Sequence, residues 1–545
     1  MRPSFIASSL FFIFFIQGIY LIQATSPTTD EVPFHMVNGY AYLKTHDYRM
    51  SPANPPLLRE WMALPWLLIN PKLDLEKASW KEADSMPFGV EFFYRDNRRI
   101  ANRLLYTARF MILMLGMGLG TVIFLWSQEL YGIWGGILSL SLYVFCPGFA
   151  AHSSIAHTDV GVTFFCALAA YFLWKFLEKE TTRTLLWTAA AFSLACAAKF
   201  NALYLGPLFL MILLVKRGPK VSLKASAIFL IFGFIIIWST YFFETKPLLA
   251  GGVPRIDEKL GYITTISNVL FHGNPKMAEF LKEAALKTPI PLPSYILGLA
   301  GILRSHESPY LHYAFGEWTT KPHWFFYIFS FLVKMTIPFL CFLLLRALFF
   351  RKCSSVKGNE RFVILLPTVA LFFITAKDST GVGIRYLFPI IPLLMVWVGG
   401  LVKLRDSKIR MAIALLITFN IVSVARIFPN YLSYFNEFVG GVKGGCRYVR
   451  GSDADWGQGL KDLKRYQDKN RIQNVALDYF GSADPSFYGI SFERITDEER
   501  KIPRAKVYAV SIFNLEHTQW SHEADPTAVV GGSIFIYDFR KAIKG

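Results

Sequence analysis

A chain of 545 residues that is 53% hydrophobic and 16% aromatic, with 50 Phe and 13 Trp, is too apolar for an ordinary soluble domain. A formal charge of +18 would suit a nucleic-acid binder, but the Lys and Arg fall mostly in short loops between apolar runs, which excludes nucleic acid in favour of a membrane. Six Cys show no metal spacing or disulfide framework, and the absence of any Asn-x-Ser/Thr sequon favours a bacterial chain over one from a secretory pathway.

Eleven apolar runs read as candidate spans: 4–24, 104–126, 130–150, 159–178, 184–199, 200–216, 222–243, 324–350, 361–376, 384–402 and 409–428. Most approach the roughly 20 residues that cross a bilayer as helix. The first reads as a retained helix in preference to a cleaved signal peptide, because its apolar run is long for one. The fifth and sixth are separated only by Lys199-Phe200-Asn201.

Between the first two spans lies a long loop, 25–103. It carries the acidic pair Asp30-Glu31, then Phe34, Tyr40, Tyr42 and Asn54-Pro55-Pro56-Leu57. Carboxylates beside a membrane are costly unless solvated or used. Pro55–Ile69, with Trp61 and Trp66, reads as a helix lying in the interface. A second long loop, 244–323, holds an amphipathic helical pattern at Met277–Lys287, ended by Pro289, Pro291 and Pro293.

Three basic clusters orient the bundle: Lys216, Arg217, Lys220 and Lys224; Arg351, Lys352, Lys357 and Arg361; Lys403, Arg405, Lys408 and Arg410. All fall on one side by span count, so that side is expected to be cytoplasmic, with the N-terminus inside and both long loops outside. The expected location is a plasma (inner) membrane. The tail, 429–545, is expected to form an external α/β domain, with strand-like runs at Val475–Phe480, Lys506–Phe513 and Val529–Phe539 and a helix at Lys461–Asp468. It opens with Asp453-Ala454-Asp455-Trp456-Gly457-Gln458, which reads as a turn capping the next helix before it reads as a cation site. The chain thus divides into a transmembrane domain, 1–428, and this tail.

The topology collects charge at the external face. Asp30, Glu31 and Asp159 lie there, with Arg109 one helical turn into its span, Lys199 at the end of the fifth and Arg385 opening the tenth. Lys334 is expected mid-bilayer, about ten residues into the eighth span, where it needs a fixed partner, either a phosphate or a carboxylate such as Glu317. His35, His152 and His157 read as interfacial polar residues before metal ligands. Cations of this kind suit a phosphate leaving group, and a carboxylate suits deprotonation of a hydroxyl nucleophile.

Several motifs resemble those of a known family. Asp30-Glu31, Phe34, Tyr48, Asn54-Pro55-Pro56-Leu57-Leu58-Arg59, Arg109, Thr158-Asp159, Gly316-Glu317, Trp324–Tyr327 with Lys334, and Gly383-Ile384-Arg385-Tyr386-Leu387-Phe388-Pro389 carry the likeness. In the tail it continues through Tyr434-Phe435-Asn436-Glu437 and Asp455-Trp456-Gly457-Gln458. The chain resembles the polyprenyl-phosphate-dependent glycosyltransferases, which include the protein O-mannosyltransferases and the lipid A aminoarabinose transferase, multispan enzymes of the C-type glycosyltransferase fold. It departs from the family's frequent His-Pro-Pro-Leu and subsequent Lys by Asn54 and Arg59.

The resemblance implies inverting transfer of a sugar from a polyprenyl monophosphate to a hydroxyl of a protein or lipid acceptor. Asp30 would be the base or an organiser, supported by Glu31. Arg109, Lys199, Lys334 and Arg385 would bind the carrier phosphate. Arg59 and Glu317 would support the acceptor or the loops. Asp159 would join Asp30 around a divalent cation if one is used, and the sequence leaves that cofactor open. The rival reading is a transporter or flippase for lipid-linked sugar, which would also place charge within the bundle.

Overall fold

The computed structural model describes residues 2–249, 261, 264, 267, 268, 271, 272, 274–305, 311–321, 323–354, 358–377 and 381–540. Lys357 of the second basic cluster lies outside them. Helix is present in each of the eleven apolar runs, because lipid offers no partner to an unpaired backbone group. Among the described residues six helices have the length and apolarity to cross a membrane: Pro3–Ala24, Arg98–Tyr131, Asp159–Glu178, Phe200–Arg217, Pro219–Thr240 and Ser407–Ile427.

The run expected at 324–350 is not one straight span. Phe326–Lys334 and Ile337–Leu348 meet at 111°, and count as a seventh span only if taken together. The break lies at Thr336, which is extended and whose hydroxyl accepts from the Phe339 N–H at 3.4 Å, with Pro338 in the first turn of the second helix. Ile133–Val144, Arg361–Thr375 and Ile391–Lys403 are shorter apolar helices, and Thr182–Ala198 has 17 residues. Pro3–Ala24 packs into the bundle against Ala101–Tyr131 and Ile133–Val144, with Leu10, Phe14, Leu21 and Ile22 buried.

The two ends of the bundle differ in chemistry. At one, Lys216 lies over the Phe362 ring, Arg217 donates to the Leu177 carbonyl and Lys403 donates to that of Ser354. Helix Asp159–Glu178 therefore runs from Asp159 at the opposite end to Leu177 beside these basic residues.

The first loop is pinned to the second long helix by its indoles. Trp61 and Trp66 donate to the carbonyls of Met111 and Leu104, while Leu68 is 92% exposed. The interfacial pattern at 55–69 resolves into two short helices, Leu57–Ala63 and Trp66–Ile69.

Nine short strands are present among the described residues. β1 (Thr245–Pro247) pairs with β2 (Pro289–Pro291), and β3 (His312–Ala314) with β4 (Glu317–Thr319), both antiparallel. The C-terminal sheet contains β5 (Val475–Asp478), β6 (Phe492–Arg494), β7 (Val507–Ser511), β8 (Ala528–Val530) and β9 (Ile534–Asp538), in the order β6-β5-β7-β9-β8. β5 runs parallel to β6 and β7, whereas β9 is antiparallel to both its neighbours. The single run expected at Val529–Phe539 is two strands, because Gly531 and Gly532 both have positive φ and turn the chain back. Helix Leu460–Lys469 lies close to the expected 461–468.

Candidate active site

Asp30 and Glu31 are adjacent in sequence and opposite in environment. Glu31 opens a π-helical turn, Glu31–Met36, and its carboxylate is fully buried. It accepts from the backbone N–H groups of Thr28 (2.6 Å) and Ala156 (2.7 Å), and from Nε and Nη2 of Arg109 at 2.7 Å each. The remaining Arg109 donors go to the carbonyls of Ile22, Thr25 and Ser26 and the Thr25 hydroxyl. The pair is fully satisfied, and loss of either partner would cost about 3–5 kcal/mol by stranding a buried charge. It joins the end of the first helix, the first loop and the segment before Asp159. Arg109, expected at the carrier phosphate, is instead taken up by Glu31.

Asp30 faces the other way. Its side chain is 28% exposed, and Oδ2 lies 3.9 Å from His157 Nε2. His157 Nδ1 lies 2.8 Å from Asp159 Oδ2, with Nε2 on the side of Asp30. Asp159 also meets Lys199 Nζ at 2.7 Å and Arg385 Nη1 at 3.8 Å. Arg385 Nη1 is 3.3 Å from His157 Nε2. The structure thus brings Asp30, Asp159, Lys199 and Arg385 together through a histidine that reads, from sequence, as an interfacial polar residue.

Lys199 can reach this point because it is extended between two helices, at φ −161° and ψ 138°, where the sequence separates two apolar runs. Beside these cations opens a cavity of about 310 Å³. Asp159, Lys199, Tyr204, Tyr386 and Arg385 supply its polar wall, and Leu205, Leu371, Ile374 and Ile390 its apolar wall. A cavity lined by both cations and aliphatic side chains matches an amphiphile with an anionic head.

Lys334 is not in this cavity. It ends helix Phe326–Lys334 at the bend and donates to the carbonyls of Leu432 (3.1 Å) and Asp453, over the Phe435 ring. The straight eighth span that would place it mid-bilayer does not exist, and the carboxylate beside it belongs to Asp453 and not to Glu317. Glu317 is exposed in β4, with no ion pair among the described residues. Arg59 is buried and donates to the Tyr42 hydroxyl and to the carbonyl and hydroxyl of Ser51, closing the first loop on itself.

Asp30, His35 and His157 present ligand atoms within 4.8 Å of one another, so these three could hold a metal ion. Nδ1 of the buried His35 has no hydrogen-bond partner, and burial lowers the pKa of His35 well below its ordinary value, so its imidazole is neutral and able to ligate. Two imidazoles and a carboxylate suit a zinc- or manganese-like ion better than a purely oxygen-seeking one. Asp159, expected to be a ligand, stands behind His157.

The C-terminal motif is buried here too, and it does not cap the next helix: Gly459 occupies that position with no side-chain cap. Asp455 accepts from the N–H groups of Gly457 (3.0 Å) and Phe513 (3.3 Å), and burial pushes its carboxyl up to about 7 despite these bonds. The folded state therefore binds a proton that the unfolded chain releases near pH 4. Asp455 contributes stability below about pH 4, and the contribution is lost as pH rises to about 7. Asp455→Asn is expected to remove this fall. The difference in melting temperature between variant and wild type should grow in favour of the variant from pH 4 to pH 8. A pH-independent difference would contradict the buried-carboxyl assignment.

Residues 85–242 match the family model described as dolichyl-phosphate-mannose-protein mannosyltransferase. That segment contains Arg109, His157, Asp159 and Lys199. The match bears out the resemblance to the polyprenyl-phosphate-dependent membrane glycosyltransferases, over a segment that holds Arg109 and Thr158-Asp159 but begins after the first-loop motifs. Among solved structures, ArnT from Cupriavidus metallidurans in the apo state aligns at a TM-score of 0.32 and 10% identity over 98% of this chain and 97% of that one. The same enzyme bound to undecaprenyl phosphate aligns equally. The Archaeoglobus fulgidus oligosaccharyltransferase tethered to an acceptor peptide aligns at 0.41 and 11% identity, over 77% of this chain and 54% of that one. At these scores the structural likenesses carry no functional argument. No curated protein matches the chain.

Proposed function

We propose that this glycosyltransferase moves a sugar, with inversion, from a polyprenyl monophosphate to an acceptor hydroxyl at the external membrane face. The observation that carries the reading is the cavity lined both by Asp159, Lys199 and Arg385 and by aliphatic side chains, with Asp30 reached through His157. The acceptor oxygen attacks the anomeric carbon as the bond from that carbon to the phosphate oxygen breaks. Asp30 takes the hydroxyl proton, and polyprenyl phosphate leaves with its charge met by Lys199 and Arg385. A protein or a lipid can supply the hydroxyl. The outward placement of the site is supported by its position at the end of the bundle opposite the basic loops.

Purified protein given a polyprenyl-phosphate donor with a radiolabelled sugar should release free polyprenyl phosphate and place label in a new product. Movement of intact labelled donor between leaflets without cleavage would instead support the transporter reading. In intact cells, an impermeant thiol reagent should label Glu498→Cys and spare Arg405→Cys. The reverse pattern would put the site on the cytoplasmic side.

A further inference from the structure

Transfer chemistry alone leaves the motif Asp453-Ala454-Asp455-Trp456-Gly457-Gln458 unused, yet it touches both halves of the site. The Asp453 carboxylate accepts from the Ile384 N–H at 3.0 and 3.3 Å and from the Ser330 hydroxyl at 3.0 Å, immediately before Arg385. Gly383 has φ +104°, and a Cβ there would lie 2.6 Å from that carboxylate, so the chain can approach Asp453 only as glycine. Three residues on, the Trp456 ring lies 4.4 Å from the Arg385 guanidinium carbon and 5.0 Å from the His157 ring.

The same strap braces the base. The Trp456 carbonyl accepts from the N–H of Thr29 at 2.8 Å and from its hydroxyl at 3.2 Å, one residue before Asp30. The Gly457 and Gln458 carbonyls accept from the hydroxyl and N–H of Ser26, both at 3.1 Å. The Gln458 side chain in turn accepts from the Trp456 N–H at 2.8 Å, and Asp455 ties the strap to the C-terminal domain.

We propose that Asp453 and Trp456 are positioning residues for the transfer, through which the C-terminal segment sets Arg385 against Asp30. The proposal rests on Arg385 as a donor-phosphate group. An indole face against one side of a guanidinium fixes the plane in which its N–H groups lie, and so the direction in which the fork can meet a phosphate. A carboxylate on the preceding N–H fixes the turn that carries it. Because one short segment also holds Thr29, the separation of base and cation is set by a single element.

Binding of undecaprenyl phosphate to full-length protein in nanodiscs tests this, with melting temperature read on the same samples. Trp456→Leu should weaken binding about tenfold, and Trp456→Phe should recover most of it. In an Arg385→Ala background Trp456→Leu should cost nothing further, because it acts through the missing guanidinium. Asp453→Ala should behave likewise, and carries the test if Trp456→Leu does not fold. Wild-type binding by Trp456→Leu and Asp453→Ala, or equal losses with and without Arg385, would overturn the proposal. If Arg385→Ala itself binds like wild type, the donor-site reading falls and the proposal with it. If Arg385→Ala loses binding while the strap variants do not, the proposal alone falls.

Discussion

Asp30→Asn is expected to lower sugar transfer by about 10²–10⁴ in rate, the usual contribution of a general base, in a protein that still folds. The substitution keeps size and one acceptor oxygen but cannot take a proton. Folding should survive because Asp30 is partly exposed and the charge that holds the loop is its neighbour, Glu31, bonded to Arg109. Glu31→Gln should show the opposite balance: a lowered melting temperature, with whatever protein remains folded still active. Transfer kinetics and melting curves on both variants separate the roles. Near-normal turnover by Asp30→Asn would remove it from the chemistry.

The second large effect belongs to Arg385. Arg385→Ala should slow transfer about 10²-fold and weaken donor binding, because one cation both holds the phosphate and meets the charge that grows on it as the sugar leaves. Arg385→Lys should recover part of this, since a point charge replaces a planar fork. Lys199→Ala should resemble Arg385→Ala, because both side chains meet Asp159 and line the same cavity. A residue that only anchored lipid headgroups would give equal activity with Lys and Arg. Donor titrations and single-turnover rates across the series distinguish the two cases, and equal donor affinity in wild type and Arg385→Ala would exclude a phosphate site there.

Much of this architecture is legible in the sequence for definite reasons. Apolar runs must be helical in lipid, so the helices fall where the runs are. Basic residues stay on one side, so the three clusters meet at one end of the bundle. The short apolar runs in the tail form β5, β7 and β9, strands that are buried on both faces and so read as near-continuous apolar stretches. Lys199 and Arg385 are legible as cations at span ends. His157 is less so, since a histidine beside a membrane has no local signature of the carboxylate it will face.

Local composition, then, dictates a multispan helical chain, the gathering of its basic clusters, its long loops and the acidic pair that opens the first of them. Only tertiary structure decided which member of each charged set does what. Asp30 and Glu31 are equivalent by residue chemistry, but a buried arginine 78 positions away takes one and leaves the other partly open. Arg109 and Lys334 look like phosphate ligands until their donors are traced to Glu31 and to backbone carbonyls. Asp453 and Trp456 lie far along the chain from the residues they brace. Charge and hydropathy act through composition and can be read in sequence order; hydrogen bonds and ring contacts depend on where distant segments meet, which only the packed fold fixes.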